Sequence, residues 1–409
     1  MNKLLLSVFL LFFTLIVFGE KGNTGSLSDL QILEKINKSR PSLGGPIPKN
    51  FKNMIGATHM DGQYYFTKEP YIIEGAKKVQ ELGYGILKLW FSKADGNAGG
   101  YKFNSDWNLT RSMTFRELAQ HPYYKEVFDM PFKVFALNIN EGFHEASTED
   151  QTETLNRIEN EFYELTKYLL TNFKEREVTF ILEMWEGDWT LRGGTQPNAH
   201  WRKGEVPVDA SVRVKNMIDW VTARQKGVNH ARNETVNSKC KVYNAVEVNK
   251  VFDGMEGIPT ITTDVLPKVK VDMVSWSSYD GKSPDGLKMY KGIEYIRQHL
   301  VPTSYMKGNK VVFIGEIGEP ENMNNQTRES IREFWDVMLG VYLAQNIPYI
   351  IHWELFCNEN KDGSPRMQNR NKTAEELRGF WLIRPDGSKS WAQEYFEELL
   401  TTGKQQDHI

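Results

Sequence analysis

The sequence predicts a (β/α)8 TIM barrel, an α/β fold in which eight parallel strands close on themselves, and three observations predict it. Apolar strand-like runs alternate with helix-period segments eight times between Met54 and Leu400. The 409 residues leave room for eight such units with insertions. The first run leads into His59-Met60-Asp61-Gly62, whereas an open doubly wound sheet usually carries a Gly-rich phosphate turn there.

Strands are expected at 54–58, 85–91, 132–138, 178–185, 241–248, 271–277, 310–315 and 348–353. These short apolar runs suit parallel strands covered on both faces. Helices are expected between them. Over 151–173, Leu155, Ile158, Phe162, Leu165 and Leu169 recur at three- and four-residue steps and form one apolar stripe. Over 328–345, Ile331, Trp335, Met338 and Tyr342 repeat the pattern. Ahead of the barrel, Asn2-Lys3 precedes an apolar run over 4–19 with small residues near its end, so 1–19 reads as a signal peptide too short to span a bilayer well. The chain then divides into an extension over 20–50, one catalytic domain over 51–403 and a polar tail over 404–409. A secreted or extracytoplasmic protein without a membrane span after cleavage is expected. Sequons at Asn37, Asn108, Asn233, Asn325 and Asn371 are glycan acceptors if the source is eukaryotic. Cys240 and Cys357 fall at opposite ends of the expected barrel, so no disulfide should join them.

Composition excludes several classes. A net charge of −3 lacks the basic excess of a nucleic-acid binder. Walker and GxGxxG patterns are missing, so no nucleotide cofactor is expected. His144, His200 and His352 lack a ligand spacing such as HExxH, so no catalytic metal is expected either. No GxSxG elbow marks a serine hydrolase. The informative deviation is 11 Trp, of which Trp90, Trp107, Trp185, Trp189, Trp201, Trp276 and Trp353 fall near C-terminal strand ends or beyond them. Such rings pack cores, and they also suit the flat faces of sugars; two or three of the seven are expected to line a glycan cleft. Long loops over 95–113, 190–209 and 358–390 follow strands and would build the same rim.

Two acidic motifs, Met184-Trp185-Glu186-Gly187-Asp188-Trp189 and Ile314-Gly315-Glu316-Ile317-Gly318-Glu319, stand where the fourth and seventh apolar runs end. Glycoside hydrolysis needs a proton for the leaving oxygen and a second carboxylate to attack or stabilise an oxocarbenium-like centre. Glu186, beside two Trp, suits the acid. Glu316, flanked by glycines that would let a substrate approach, suits the nucleophile. Glu183 is the rival acid, and strand alternation would turn Glu183 and Glu186 to opposite sides; Glu319 is the rival nucleophile. His59, Lys88, Asn138, Asn249, Asp280 and Glu354 are weaker candidates for contacts to sugar hydroxyls.

With those residues in place, the chain resembles the clan-A glycoside hydrolases, (β/α)8 enzymes whose acid/base follows strand four and whose nucleophile follows strand seven. Phe313-Ile314-Gly315-Glu316-Ile317-Gly318 is similar to the strand-seven nucleophile motif, and Ile350-Ile351-His352-Trp353-Glu354 to the strand whose Trp floors the cleavage subsite. Trp276-Ser277-Ser278-Tyr279 resembles the segment whose Tyr hydrogen-bonds the nucleophile, and Gly379 to Lys389 resembles a hairpin before the last helix. The resemblance implies a retaining enzyme acting on an oligo- or polysaccharide, with Trp353 flooring its cleavage subsite; Trp90, Asn138, Trp185, Trp189, Asn249 and Trp276, by their places at or beyond strand ends, are expected around the same sugar. It departs at Trp185, where the clan usually has Asn ahead of the acid/base. That departure keeps open a second expectation, a secreted barrel that binds carbohydrate without cleaving it.

Overall fold

The computed structural model describes residues 27–93, 100–110, 112–141, 143, 150–366 and 370–405. Strands β1 (Ile55–His59), β2 (Ile86–Trp90), β3 (Val134–Asn138), β4 (Thr179–Met184), β5 (Lys241–Val248), β6 (Met273–Ser277), β7 (Val311–Ile317) and β8 (Ile350–His352) each pair in parallel with the next, and β8 closes on β1. The chain is thus a (β/α)8 barrel. Most strands start one or two residues later than the apolar run suggests, and β7 continues through Glu316.

The helices of the described residues are α1 (Asp29–Ser39), α2 (Tyr71–Glu81), α3 (Phe115–Ala119), α4 (Pro122–Asp129), α5 (Thr152–Asn172), α6 (Gly187–Arg192), α7 (Ala210–Glu234), α8 (Val251–Met255), α9 (Leu287–His299), α10 (Arg328–Ala344) and α11 (Trp391–Gln405). The expected stripes face inward: Ile158, Phe162, Leu165 and Leu169 of α5 are buried, as are Ile331, Trp335, Met338 and Tyr342 of α10. None of these helices is long and apolar enough to cross a membrane. The expected signal segment 1–19 lies outside the described residues. So do His144 and the last four residues of the expected tail, while Lys404 and Gln405 continue α11. Helix α1 docks on α10 at Gly340, where Ile36 and Arg40 approach closely, and Arg40 pairs with Asp336 at 2.7 Å. Cys240 and Cys357 are both buried and free, and all five sequon asparagines are exposed.

The two-residue period of the strands sets the interior. Ile86, Val134, Ala136, Ile181, Ala245, Met273, Phe313 and Ile351 pack together along the axis. Two residues further along, the same faces bring Lys88, Asn138, Glu183, Glu247, Ser275, Gly315 and Trp353 toward the C-terminal mouth. The alternate positions, including Phe135, Phe180, Val246, Val274 and Trp276, pack outward in the layer under the helices. An apolar lower barrel therefore carries a polar, charged layer beneath its mouth.

Candidate active site

Two backbone irregularities turn the acidic motifs into this mouth. After β4, Trp185 is pinned by Asn140: its N–H donates to Asn140 Oδ1 at 2.8 Å, and Asn140 Nδ2 donates to the Trp185 carbonyl at 2.7 Å. Glu186 then adopts φ 55° and ψ 45°, a left-handed conformation that costs a residue with a Cβ about 1–2 kcal/mol. Gly187 follows because a Cβ there would lie 2.1 Å from the Glu247 carbonyl oxygen. Buried Asp188 accepts hydrogen bonds from the backbone N–H groups of Asn249 (2.7 Å), Lys250 (2.9 Å) and Ile261 (2.7 Å), which clips the turn after β4 to the one after β5. Strand alternation thus fails at this point. Glu183 and Glu186 both face the barrel axis, with Glu183 one layer deeper, because alternation ends where the left-handed turn begins.

In β7, Trp276 pairs with Ile314 and the next residue, Ser277, pairs with Glu316, so Gly315 is an extra residue in β7. Such a bulge re-aims the following side chain, here Glu316, toward the axis. A Cβ at Gly315 would stand 1.8 Å from Ser275 Oγ and 2.8 Å from Glu183 Oε1, and one at Gly318 would stand 2.4 Å from the Trp353 carbonyl oxygen. These glycines make room for the protein's own groups, and not for the approach of a substrate that the sequence suggested.

Glu186, Glu316 and a residue the sequence reading passed over, Glu247 of β5, each bring a carboxylate oxygen to within 4.8 Å of the other two. Trp185 Nε1 donates to Glu316 Oε2 at 2.9 Å, and Asn249 Nδ2 donates to Glu186 Oε1 at 3.1 Å. Glu247 accepts from the Glu186 backbone N–H at 2.8 Å, Ser275 Oγ at 2.9 Å and Lys88 Nζ at 3.3 Å. Lys88, fully buried, also pairs with Glu183 at 3.1 Å and donates to the Gly315 carbonyl at 3.0 Å. Burial, then the negative charges of Glu316 and Glu247, holds the Glu186 carboxyl well above the usual range. Burial and Glu247 push Glu316 up to about 8, opposed by Lys88 and the Trp185 hydrogen bond. Burial raises Glu183 to about 7 against the pull of Lys88. Lys88 supplies positive charge to this cluster from within the fold.

Around this cluster Trp185 contacts Trp90 edge-on, with ring centroids 4.4 Å apart, and stacks with Trp353 at 6.4 Å. Asn138 is buried, and neither of its side-chain polar atoms has a hydrogen-bond partner among the described residues. Trp189 lies on α6 with Lys250 Nζ 4.0 Å from its ring and His200 edge-on at 5.1 Å. The Tyr279 hydroxyl is buried and has no hydrogen-bond partner among the described residues; Glu316 takes its hydrogen bond from Trp185, and burial, then the Glu316 charge, raises the Tyr279 hydroxyl well above its usual range.

Several expected contacts are absent from the mouth. Trp276 is fully buried on the outer face, wedged against Gly281 and Gly292 with its indole donating to Asp280 Oδ1 at 3.0 Å, because its neighbour Ser275 takes the inward position. This also occupies Asp280. His59 packs outward on Gly75 and bonds to the Tyr71 carbonyl at 2.8 Å. Lys88 is consumed by ion pairs. Glu354 is buried and accepts from the Asn358 N–H at 2.7 Å. Glu319 pairs with Lys282 at 2.8 Å, and His352 is buried against Trp335. Trp107 and Trp201 belong to the core. The signal that could have found Glu247 was a Glu interrupting the apolar run Ala245-Val246-Glu247-Val248, two residues beyond inward-facing Ala245.

No protein-family model matches the chain, and no curated protein matches its sequence. Among solved structures, it is similar to GH5_18 from Streptomyces cattleya in complex with GlcNAc, with a TM-score of 0.51 and 9% identity over 86% of this chain and 80% of that one. The exo-β-1,4-mannosidase of Opitutaceae bacterium strain TAV5 gives 0.50 and 11% over 86% of this chain and 60% of that one. The GH53 catalytic domain of Ignisphaera aggregans gives 0.48 and 10% over 87% and 98%. At such identities the first two likenesses are of fold, the closed eight-stranded barrel.

Proposed function

We propose that this protein is a secreted glycoside hydrolase that cleaves a β-linked oligo- or polysaccharide with retention of configuration. The observation that carries the reading is the approach of Glu186 and Glu316, whose carboxylate oxygens come within 4.8 Å of each other at the mouth of the barrel. Retaining enzymes hold their carboxyls about 5–5.5 Å apart, whereas inverting ones leave about 6.5–9.5 Å for a water.

In this reading Glu316 attacks the anomeric carbon as the glycosidic C–O bond breaks, and the Glu186 proton passes to the departing oxygen. Water then attacks the glycosyl-enzyme, Glu186 takes its proton, and Glu316 leaves as carboxylate. The environment suits these roles. Glu186 is kept protonated by burial and two neighbouring carboxylates, and Asn249 fixes its orientation. Trp185 favours ionised Glu316. Trp90, Trp185 and Trp353 offer apolar walls for sugar rings, and Asn138 an amide for a hydroxyl.

The test is turnover of a panel of aryl β-glycosides, with the anomeric configuration of the first product read by NMR. The wild type should release the β-anomer and Glu316→Gln should lose turnover by at least about 10³-fold, since an amide at this position cannot form the covalent intermediate. Trp185, standing where the clan usually has Asn, favours the alternative of a barrel that only binds carbohydrate. That alternative requires wild type and Glu316→Gln to bind a glycan equally and neither to hydrolyse any.

A further inference from the structure

Beneath the proposed catalytic pair, Glu247 meets both partners at once. Its Oε1 accepts the Glu186 backbone N–H at 2.8 Å, at the residue held in the left-handed turn, and its carboxylate lies within 4.8 Å of those of Glu186 and Glu316. Its Oε2 is fixed from the far side by Ser275 Oγ at 2.9 Å and Lys88 Nζ at 3.3 Å. The donors come from β2, β6 and the turn after β4, so the side chain has three supports and no exposure. The charged and titratable groups facing it are Lys88 on β2, Glu183 on β4, Glu186 beyond β4 and Glu316 on β7. A side chain needed only to anchor the turn would not require a charge. An amide or hydroxyl would accept the same N–H without the desolvation cost.

We propose that Glu247 is the positioning residue of the carboxylate pair: one oxygen holds the Glu186 backbone in the turn that faces Glu316, and its carboxylate stands against those of both partners. The inference rests on the proposed glycosidase reading. Lys88 balances this charge incompletely, because it is shared with Glu183. The charge acts on Glu316 as well as on Glu186, and removing it lowers both of their titrations.

Charge and position separate in two variants. Glu247→Gln keeps an acceptor for the Glu186 N–H and removes the charge. Both limbs of the kcat/KM profile against pH should then move down by about one unit or more, with kcat at the new optimum within about tenfold of wild type. Glu247→Asp keeps the charge and withdraws the acceptor by one methylene. It should hold both limbs in place while kcat falls about 100-fold or more at unchanged KM. A Glu247→Gln profile that superimposes on wild type, or Glu247→Asp with full kcat, overturns the proposal. If wild type hydrolyses no glycoside, the functional reading fails by itself. The inference is then read from 13C titration of the glutamate carboxyls, with Glu186→Gln and Glu316→Gln assigning the signals. Glu186 and Glu316 must titrate lower in Glu247→Gln than in wild type, and unchanged titrations reject it. The same titration in Glu247→Asp, where the two signals must stay in place, decides the matter should the Gln variant not fold.

Discussion

Replacing Trp185 by Phe isolates one hydrogen bond of the site. The indole N–H donates to Glu316 Oε2 at 2.9 Å and opposes the burial and the Glu247 charge that raise this carboxyl to about 8. A hydrogen bond to a charged group is worth about 1.5–3 kcal/mol. At about 1.4 kcal/mol per pK unit, its loss raises the Glu316 titration by about one to two units. Phe keeps an aromatic ring against Trp90 and Trp353, so the wall of the mouth stays. In a retaining enzyme the low-pH limb of kcat/KM reports ionisation of the nucleophile. That limb should move up by about one unit, while rates above it recover to within about tenfold of wild type. A uniform fall at every pH, with the limb unmoved, would refute the argument and reduce Trp185 to a wall of the cleft. The Trp185 and Glu247 perturbations shift the same limb in opposite directions, so the pair also tests the sign of each effect.

Two further outcomes follow from burial and packing. Glu316 titrates near 8 in the fold against 4.5 for a free side chain, so stability from this group is fully present below about pH 4.5 and is lost as pH rises through 8. Glu316→Gln cannot ionise, and its Tm should exceed wild type by at least about 2 °C at pH 8 and match it near pH 4 in thermal unfolding; equal Tm at both would refute the linkage. Gly315→Ala, whose Cβ would press on Ser275 Oγ at 1.8 Å, should cost about 1–3 kcal/mol or more in urea unfolding, and Ser275→Gly should recover part of that loss. A purely additive double variant would mean the clash is relieved elsewhere.

The barrel was legible because parallel strands covered on both faces must be written as short apolar runs, and eight such runs leave few other architectures. Glu316 was legible as a carboxylate ending one of those runs. What the pattern hid was the phase of each strand and the places where phase breaks. Trp276 was assigned to the mouth because it sits late in β6, yet Met273 faces inward and the two-residue period sends Trp276 outward. Glu186 reaches the axis only through a positive φ that no glycine announces, and Glu316 only through a bulge whose register lies in the pairing with β6. Charge balance offers a route that needs no phase. Lys88 stands inside the apolar run Ile86-Leu87-Lys88-Leu89, and a buried ammonium must find a counter-charge. Carboxylates interrupt two other apolar runs in the same way: Glu183 in Phe180-Ile181-Leu182-Glu183 and Glu247 in Ala245-Val246-Glu247-Val248. Both pair with Lys88, at 3.1 and 3.3 Å. The charged layer under the mouth was therefore present in the sequence as three interruptions of apolar runs; Lys88 and Glu183 stood out singly, and only Glu247, which the same charge balance demands, went unread.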